Sequence, residues 1–276
     1  MMWKVEKMAK ETSPTPAMLS FGEVDKSFVQ YNLYQAPIKF MGKDTRYKAI
    51  LREGQLVAIV GKTYKLFPNE MAIEIAKDVA AKLGAVPFRE DNVMYNKRST
   101  RVFASYILPE CEEVIGNDTV HPGFTIQNSI DATLAFSCSG FTYRTVCKNG
   151  VMVGFKRLST VYHKHTGGLE VEKEKVEKMV ESVLKDTENV LKAYAVMAQE
   201  KLTEEIAKSI AKLSKPLRPP YIKVEKGELV GFDQTKTLWE VYNDITAAIW
   251  HNTKFDIDGK VGRFGLLHRL IPLPRV

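Results

Sequence analysis

The hydrophobic period of this chain turns lastingly helical after about residue 170, and that change limits what it can fold into. Before the change, stretches rich in β-branched and aromatic residues alternate with turn clusters. After it, Val176, Val180, Val183, Val190, Tyr194, Met197, Ala198, Ile206, Ile210 and Leu213 recur at helical spacing over about forty residues, with charged residues on the other face. Strands first and helices later predict an α+β fold: an antiparallel β-rich core with one packed helix, followed by a long helix and a C-terminal helix.

The boundaries follow from local signals. Residues 1–20, with Thr12-Ser13-Pro14-Thr15-Pro16, read as a flexible N-terminal arm. Residues 21–167 read as the β-rich core, and residues 168–214 as a long amphipathic helix or two joined helices. Residues 215–276 begin with a stiff connector at Pro216, Pro219 and Pro220 and carry a helix from Thr237 to His251; the tail beyond Gly259 has no assignment. Within the core, strand patterns run through Ser27–Tyr34, Arg46–Leu51, Gln55–Val60, Arg101–Leu108, Gly123–Ile126 and Ala132–Val146. Glu53-Gly54 between two of them predicts a hairpin. Asn69 to Leu83 fits an amphipathic helix that follows Pro68 and closes at Gly84. Turns are expected at Glu90-Asp91-Asn92, Gly116-Asn117-Asp118 and Lys148-Asn149-Gly150.

Composition excludes several classes. A 45% hydrophobic share over 276 residues is ordinary globular usage, which rules out a disordered chain. No apolar run reaches the length of a membrane-spanning helix, and Met1 to Ala17 lacks the apolar core of a secretion signal, so a cytoplasmic protein is expected. Cys111, Cys138 and Cys147 are too few for a disulfide framework, and none forms a C-x-x-C pair. The 40 basic and 33 acidic side chains leave +7. The excess is local: residues 1–167 carry +6, residues 168–214 carry −2 and residues 215–276 carry +3. Positive charge concentrated on the β part points to an anionic partner.

The motifs point in different directions. Val57-Ala58-Ile59-Val60-Gly61-Lys62-Thr63 ends like a phosphate-binding loop, but the required first glycine is Leu56, and Tyr64-Lys65-Leu66-Phe67 continues as a strand instead of a helix. A tight turn is the better reading. His163 and His165 could share a metal, but no second group of ligands stands at a familiar spacing, so neither metal nor cofactor is expected. Asp131, Arg144, Cys147 and His165 would make an active site if folding brought them together. Cations interleave with rings through the β part: Lys62, Tyr64, Lys65 and Phe67; then Arg89, Tyr95, Lys97, Arg98, Arg101 and Phe103; then Phe141, Tyr143, Arg144, Lys148, Phe155, Lys156 and Arg157. Such a sheet can hold phosphates on Lys and Arg and stack bases on rings, although most of the rings are expected in the core.

Several stretches taken in order carry a resemblance. They are Tyr47–Ile50, Leu56–Val60, Tyr64–Glu70, Asp131-Ala132-Thr133, Arg144–Asn149, His165-Thr166 and Thr237–Asn243, spanning about residues 45 to 255. Together they resemble the phage/plasmid-like protein family, domain of unknown function 932. Two positions depart from its pattern: Ala132 stands where the family usually has Gly, and Gly150 where it usually has Thr. The turn geometry at both is therefore open. The resemblance implies a protein of viral or mobile-element origin, near replication and recombination genes, without implying an established activity. A weaker, fold-level likeness is to phage single-strand annealing proteins, which carry a basic groove and assemble into rings.

The sequence therefore yields a non-enzymatic single-stranded DNA-binding protein, with annealing as its narrower form, acting in viral or plasmid DNA replication and recombination. Its expected contacts are Lys62, Lys65, Arg89, Lys97, Arg98, Arg101, Arg144, Lys148, Lys156 and Arg157. A homo-oligomer, ring or filament, is the expected assembly, and no membrane partner is expected. The rival is a nucleotide- or nucleic-acid-processing enzyme using Asp131, Arg144, Cys147 and His165.

Overall fold

The computed structural model describes residues 19–145, 149–153, 160–163 and 173–274. The chain is α+β with antiparallel sheets, as its period change requires.

The first four strands, β1 (Leu19–Phe21), β2 (Leu33–Phe40), β3 (Lys43–Arg52) and β4 (Gln55–Gly61), pair in chain order as a four-stranded sheet. Two-residue turns join its last three strands. Met41-Gly42 (φ 50° and 75°) links β2 to β3, and Glu53-Gly54 (φ 51° and 78°) links β3 to β4. Both central residues take the left-handed conformation, whose twist matches that of the flanking strands. Val29–Tyr31 forms a short 3-10 helix where the sequence pattern suggested a strand. Helix α1 (Asn69–Lys82) follows Pro68 and stops before Gly84, as its start and stop signals indicate.

Next come β5 (Val86–Pro87), β6 (Val93–Tyr95), β7 (Arg101–Ile107), β8 (Glu113–Ile115), β9 (Asp118–Ser129), β10 (Phe136–Arg144), β11 (Asn149–Val153) and β12 (Thr160–His163). They build an eight-stranded sheet in the order β11-β10-β9-β7-β5, with β12 also on β10, β6 on β7 and β8 on β9. Asn149-Gly150 is not a turn but the start of β11, with Gly150 opposite Tyr143. A Cβ on Gly150 would lie 2.4 Å from Phe141 Cζ and 3.1 Å from Trp250 Cη2, so ring packing demands glycine there.

Helices α2 (Lys173–Met197) and α3 (Glu204–Ala211) divide the long amphipathic segment, and the Thr203 hydroxyl caps the second. The hairpin β13 (Lys223–Glu225) and β14 (Glu228–Gly231), α4 (Leu238–Trp250) and α5 (Ile257–Leu270) complete the described chain. Helix α4 starts with a reciprocal cap between Thr237 and Glu240. Of the tail beyond Gly259, unassigned from sequence, the part up to Leu270 belongs to α5.

The pleat of the large sheet sorts its side chains into two cores. Val102, Ala104, Tyr106, Phe124, Ile126, Phe136 and Cys138 pack with α1 and with the first half of α2 through Val176, Val180 and Val183. Phe88, Phe103, Phe141 and Tyr143 belong to a second core with Trp250 and Phe264 from α4 and α5. Full burial of such side chains contributes about 1.5–3 kcal/mol each. Within it, Thr142 Oγ1, Tyr194 OH, Tyr242 OH and His268 Nε2 form a hydrogen-bonded chain with spacings of 3.4, 3.2 and 2.8 Å. Burial pushes the His268 imidazole down to about 4.

Candidate nucleic-acid interface

The structure divides the cations singled out in the sequence into two groups. Arg89, Arg101 and Arg144 are each held by a carboxylate of the chain. Arg89 Nη2 donates to Asp91 Oδ2 at 2.6 Å, and its guanidinium lies 5.1 Å from the Phe88 ring centroid and 5.2 Å from that of Trp250. Arg101 Nη1 sits 3.0 Å from Asp258 Oδ1, and its Nε donates to Thr133 Oγ1 at 2.7 Å. Arg144 Nη2 donates to Asp118 Oδ1 at 2.7 Å. The other oxygen of Asp118 accepts from Trp239 Nε1 at 3.1 Å and from Asn243 Nδ2 at 3.4 Å. Asp118 thus ties β9 and β10 to α4, and charge-assisted bonds of this kind are the strong ones. These three arginines hold the fold together.

Lys62, Lys65, Lys97 and Arg98 are exposed. Lys97 and Arg98 lie on the turn between β6 and β7, where the Lys97 backbone N–H donates to Asp256 Oδ2 at 3.2 Å. Lys148, Lys156 and Arg157 lie outside the described residues. Of the interleaved rings, Tyr64, Phe67, Phe103, Phe141 and Tyr143 are buried, whereas Tyr95 is exposed.

Lys62 and Lys65 join cations that sequence reasoning missed. On β3, Arg46 and Lys48 share a face because alternate strand residues do. The Lys62 backbone N–H donates to Arg46 O at 2.9 Å, which brings the end of β4 beside them. The Lys48 ammonium is lowered from its ordinary range, first by burial and then by the like charge of Lys65, against the opposing pull of Asp25. The exposed Tyr47 ring, sent to the other face by the same alternation, is reached by Arg46, which stands 5.2 Å from its centroid and donates from Nε to its hydroxyl at 3.0 Å. At this end of the small sheet Lys48 therefore feels both Lys65 and Asp25, the backbone of Lys62 meets that of Arg46, and the exposed Tyr47 ring contacts Arg46. The signal available in sequence was the Arg46-Tyr47-Lys48 alternation, two cations flanking a ring on a strand.

The rival constellation is not assembled where it can be seen. Arg144 ends β10, while Asp131 lies in the connection that precedes the start of β10, so nine strand residues put them roughly 25 Å apart at about 3.4 Å per residue. Asp131 accepts from Thr133 N at 3.1 Å and from the Thr133 hydroxyl. Burial pushes its carboxyl up, and hydrogen bonds from Thr133, Thr100 and Ser129 outweigh that and leave it below the ordinary range. Cys147 and His165 lie outside the described residues, as does Lys164, and His163 ends β12. Gly61 ends β4 and no helix follows before Asn69, so the phosphate-loop ending is no such loop. Among the described residues no group of three or more His, Cys, Asp or Glu could hold a metal ion. No helix among them is long and apolar enough to cross a membrane. A cavity of about 260 Å³ lined by Cys111, Glu112, Glu113, Glu188 and Lys192 has the wrong charge for a polyanion.

The family described as "Domain of unknown function (DUF932)" matches residues 57–261. The chain belongs to it. No curated protein and no solved structure matches the chain, and the likeness to annealing proteins finds no support there. The DUF932 span holds the large sheet, the Asp118 network and both cores apart from Phe264, Leu267 and Ile271 of the second. It begins inside β4, so Arg46, Tyr47 and Lys48 precede it, while Lys62 and Lys65 fall within it.

Proposed function

We propose that this DUF932 protein binds single-stranded nucleic acid, with DNA as its working substrate, at the end of the small sheet, in viral or plasmid DNA metabolism. The observation that carries the reading is the Arg46-Tyr47-Lys48 run on β3, with Arg46 at the exposed Tyr47 ring, the end of β4 and Lys62 beside Arg46, and Lys65 near Lys48. Backbone phosphates and an unstacked base need that combination: cations for counterion release and an open π-face for stacking. The depressed Lys48 ammonium supports it, because an arriving phosphate relieves the repulsion from Lys65.

The test is a fluorescence-anisotropy titration of a labelled oligothymidylate over a range of salt. Four phosphate contacts give a slope of about −3 in log K against log salt, at roughly 0.7 per contact for single strands. Arg46→Ala with Lys48→Ala reduces that slope by about 1.4. Tyr47→Ala weakens binding by about 1–3 kcal/mol through lost stacking. Lys178→Ala, on the exposed side of α2, changes neither. Binding indifferent to salt, or lost equally with Lys178→Ala, removes the proposal. Adding the complementary strand to the same assay reads annealing.

A further inference from the structure

We propose that two copies of this chain pair through their β4 strands, edge to edge and antiparallel, about a two-fold axis. This inference does not rest on nucleic-acid binding. Strand β4 is the last strand of the small sheet and pairs only with β3 among the described residues. Its sequence, Gln55-Leu56-Val57-Ala58-Ile59-Val60-Gly61, holds no charge and no proline. Leu56 and Ile59 are 54% and 56% exposed. Folded proteins usually blunt such an edge with Lys, Pro, a bulge or a covering element, because its open N–H and C=O groups are a template for another strand; β4 has a register shift against β3 at Val57 but neither Lys nor Pro within it.

The flanks say which strand fits. Glu53 lies two residues before β4 and Lys62 follows directly after it, and both are exposed. Antiparallel pairing of two β4 strands brings Glu53 of each copy next to Lys62 of the other, so the charges complement each other twice by symmetry. Parallel pairing would set Glu53 beside Glu53 and Lys62 beside Lys62. Leu56, Ile59 and the strand edge together cover on the order of 500 Å² per copy, about 1,000 Å² in total, at the low end of specific interfaces. The expected dimer is therefore a reversible one with micromolar affinity.

Sedimentation velocity across a hundredfold range of protein concentration tests this. The wild-type chain shifts from monomer to dimer within that range. Ile59→Lys, at an exposed position, abolishes the shift while leaving the thermal midpoint unchanged. Glu53→Lys weakens association about tenfold or more, and combining it with Lys62→Glu restores it. A wild-type monomer throughout, a dimer untouched by Ile59→Lys, or a double variant no better than the single overturns the proposal.

Discussion

In the eight-stranded sheet, Arg89, Arg101 and Arg144 each point at a carboxylate, and the central strands β9 and β10 are buried along almost their whole length. In and just after the four-stranded sheet, Arg46, Lys62 and Lys65 are exposed, and the uncharged edge strand β4 pairs on one side only among the described residues. The exposed apolar side chains follow the same division: nine of the fourteen large ones among the described residues lie between Leu19 and Gly61. A buried cation without a partner is too costly to keep, whereas an exposed cation costs little. Identical residue types thus serve the fold in one sheet and the surface in the other. The DUF932 match, which starts inside β4, covers the first kind of sheet and leaves out most of the second.

The hardest test of that contrast is Asp118→Ala. It leaves the half-buried Arg144 unpaired and takes the acceptor from Trp239 and Asn243, so unfolding in urea becomes easier by about 2–4 kcal/mol. Lys62→Ala, in the small sheet, stays within about 0.5 kcal/mol of wild type. Equal losses in the two variants would erase the distinction between the sheets.

Acid sharpens the same contrast. The ordinary histidine pKa is 6.5 and that of folded His268 is about 4, so between those values the unfolded chain binds the extra proton. The stability tied to neutral His268 is full above pH 6.5 and is lost as pH falls towards 4. The loss is about 2 kcal/mol, less than the full shift because the imidazole keeps part of its surface in water. His268→Gln keeps an oxygen that can accept from Tyr242 OH and removes the titration, so the urea midpoint of the variant falls less from pH 7 to pH 4.5. The same fall in both proteins would mean that the Tyr194–Tyr242–His268 chain does not report acid.

Local signals in the sequence were sufficient where structure is set locally. Glu53-Gly54 marks a turn by its own backbone, Pro68 starts α1, and Thr237 with Glu240 caps α4. Helix α5 was hidden by Gly259, Gly262 and Gly265, each costing about 1 kcal/mol of helix propensity, and is held by packing of Phe264 and Leu267 instead. The arginine partners were out of reach for a different reason. Asp118 meets Arg144 only once the β9–β10 register is known, and Asp258 meets Arg101 across 157 residues of chain. The sequence therefore displayed Arg89, Arg101 and Arg144 as free, and the fold gives each a carboxylate partner.

The smallest expected effect separates the two positions that depart from the family pattern. Ala132 sits at φ 61°, a left-handed conformation that disfavours a Cβ by roughly 1–2 kcal/mol. Ala132→Gly removes that strain and gives back about 0.5–1 kcal/mol through the freer unfolded chain, for a net gain below about 1 kcal/mol. Gly150→Thr moves the other way, by about 1–3 kcal/mol, because its Cβ enters the space of the Phe141 ring. Calorimetry on the two single variants should give a slightly raised and a clearly lowered midpoint. Ala132 departs at a turn, where backbone conformation alone sets the cost, and Gly150 departs in the large sheet, where the neighbouring rings set it. A lowered midpoint for Ala132→Gly would mean that contacts of the alanine methyl group outweigh the strain at that turn.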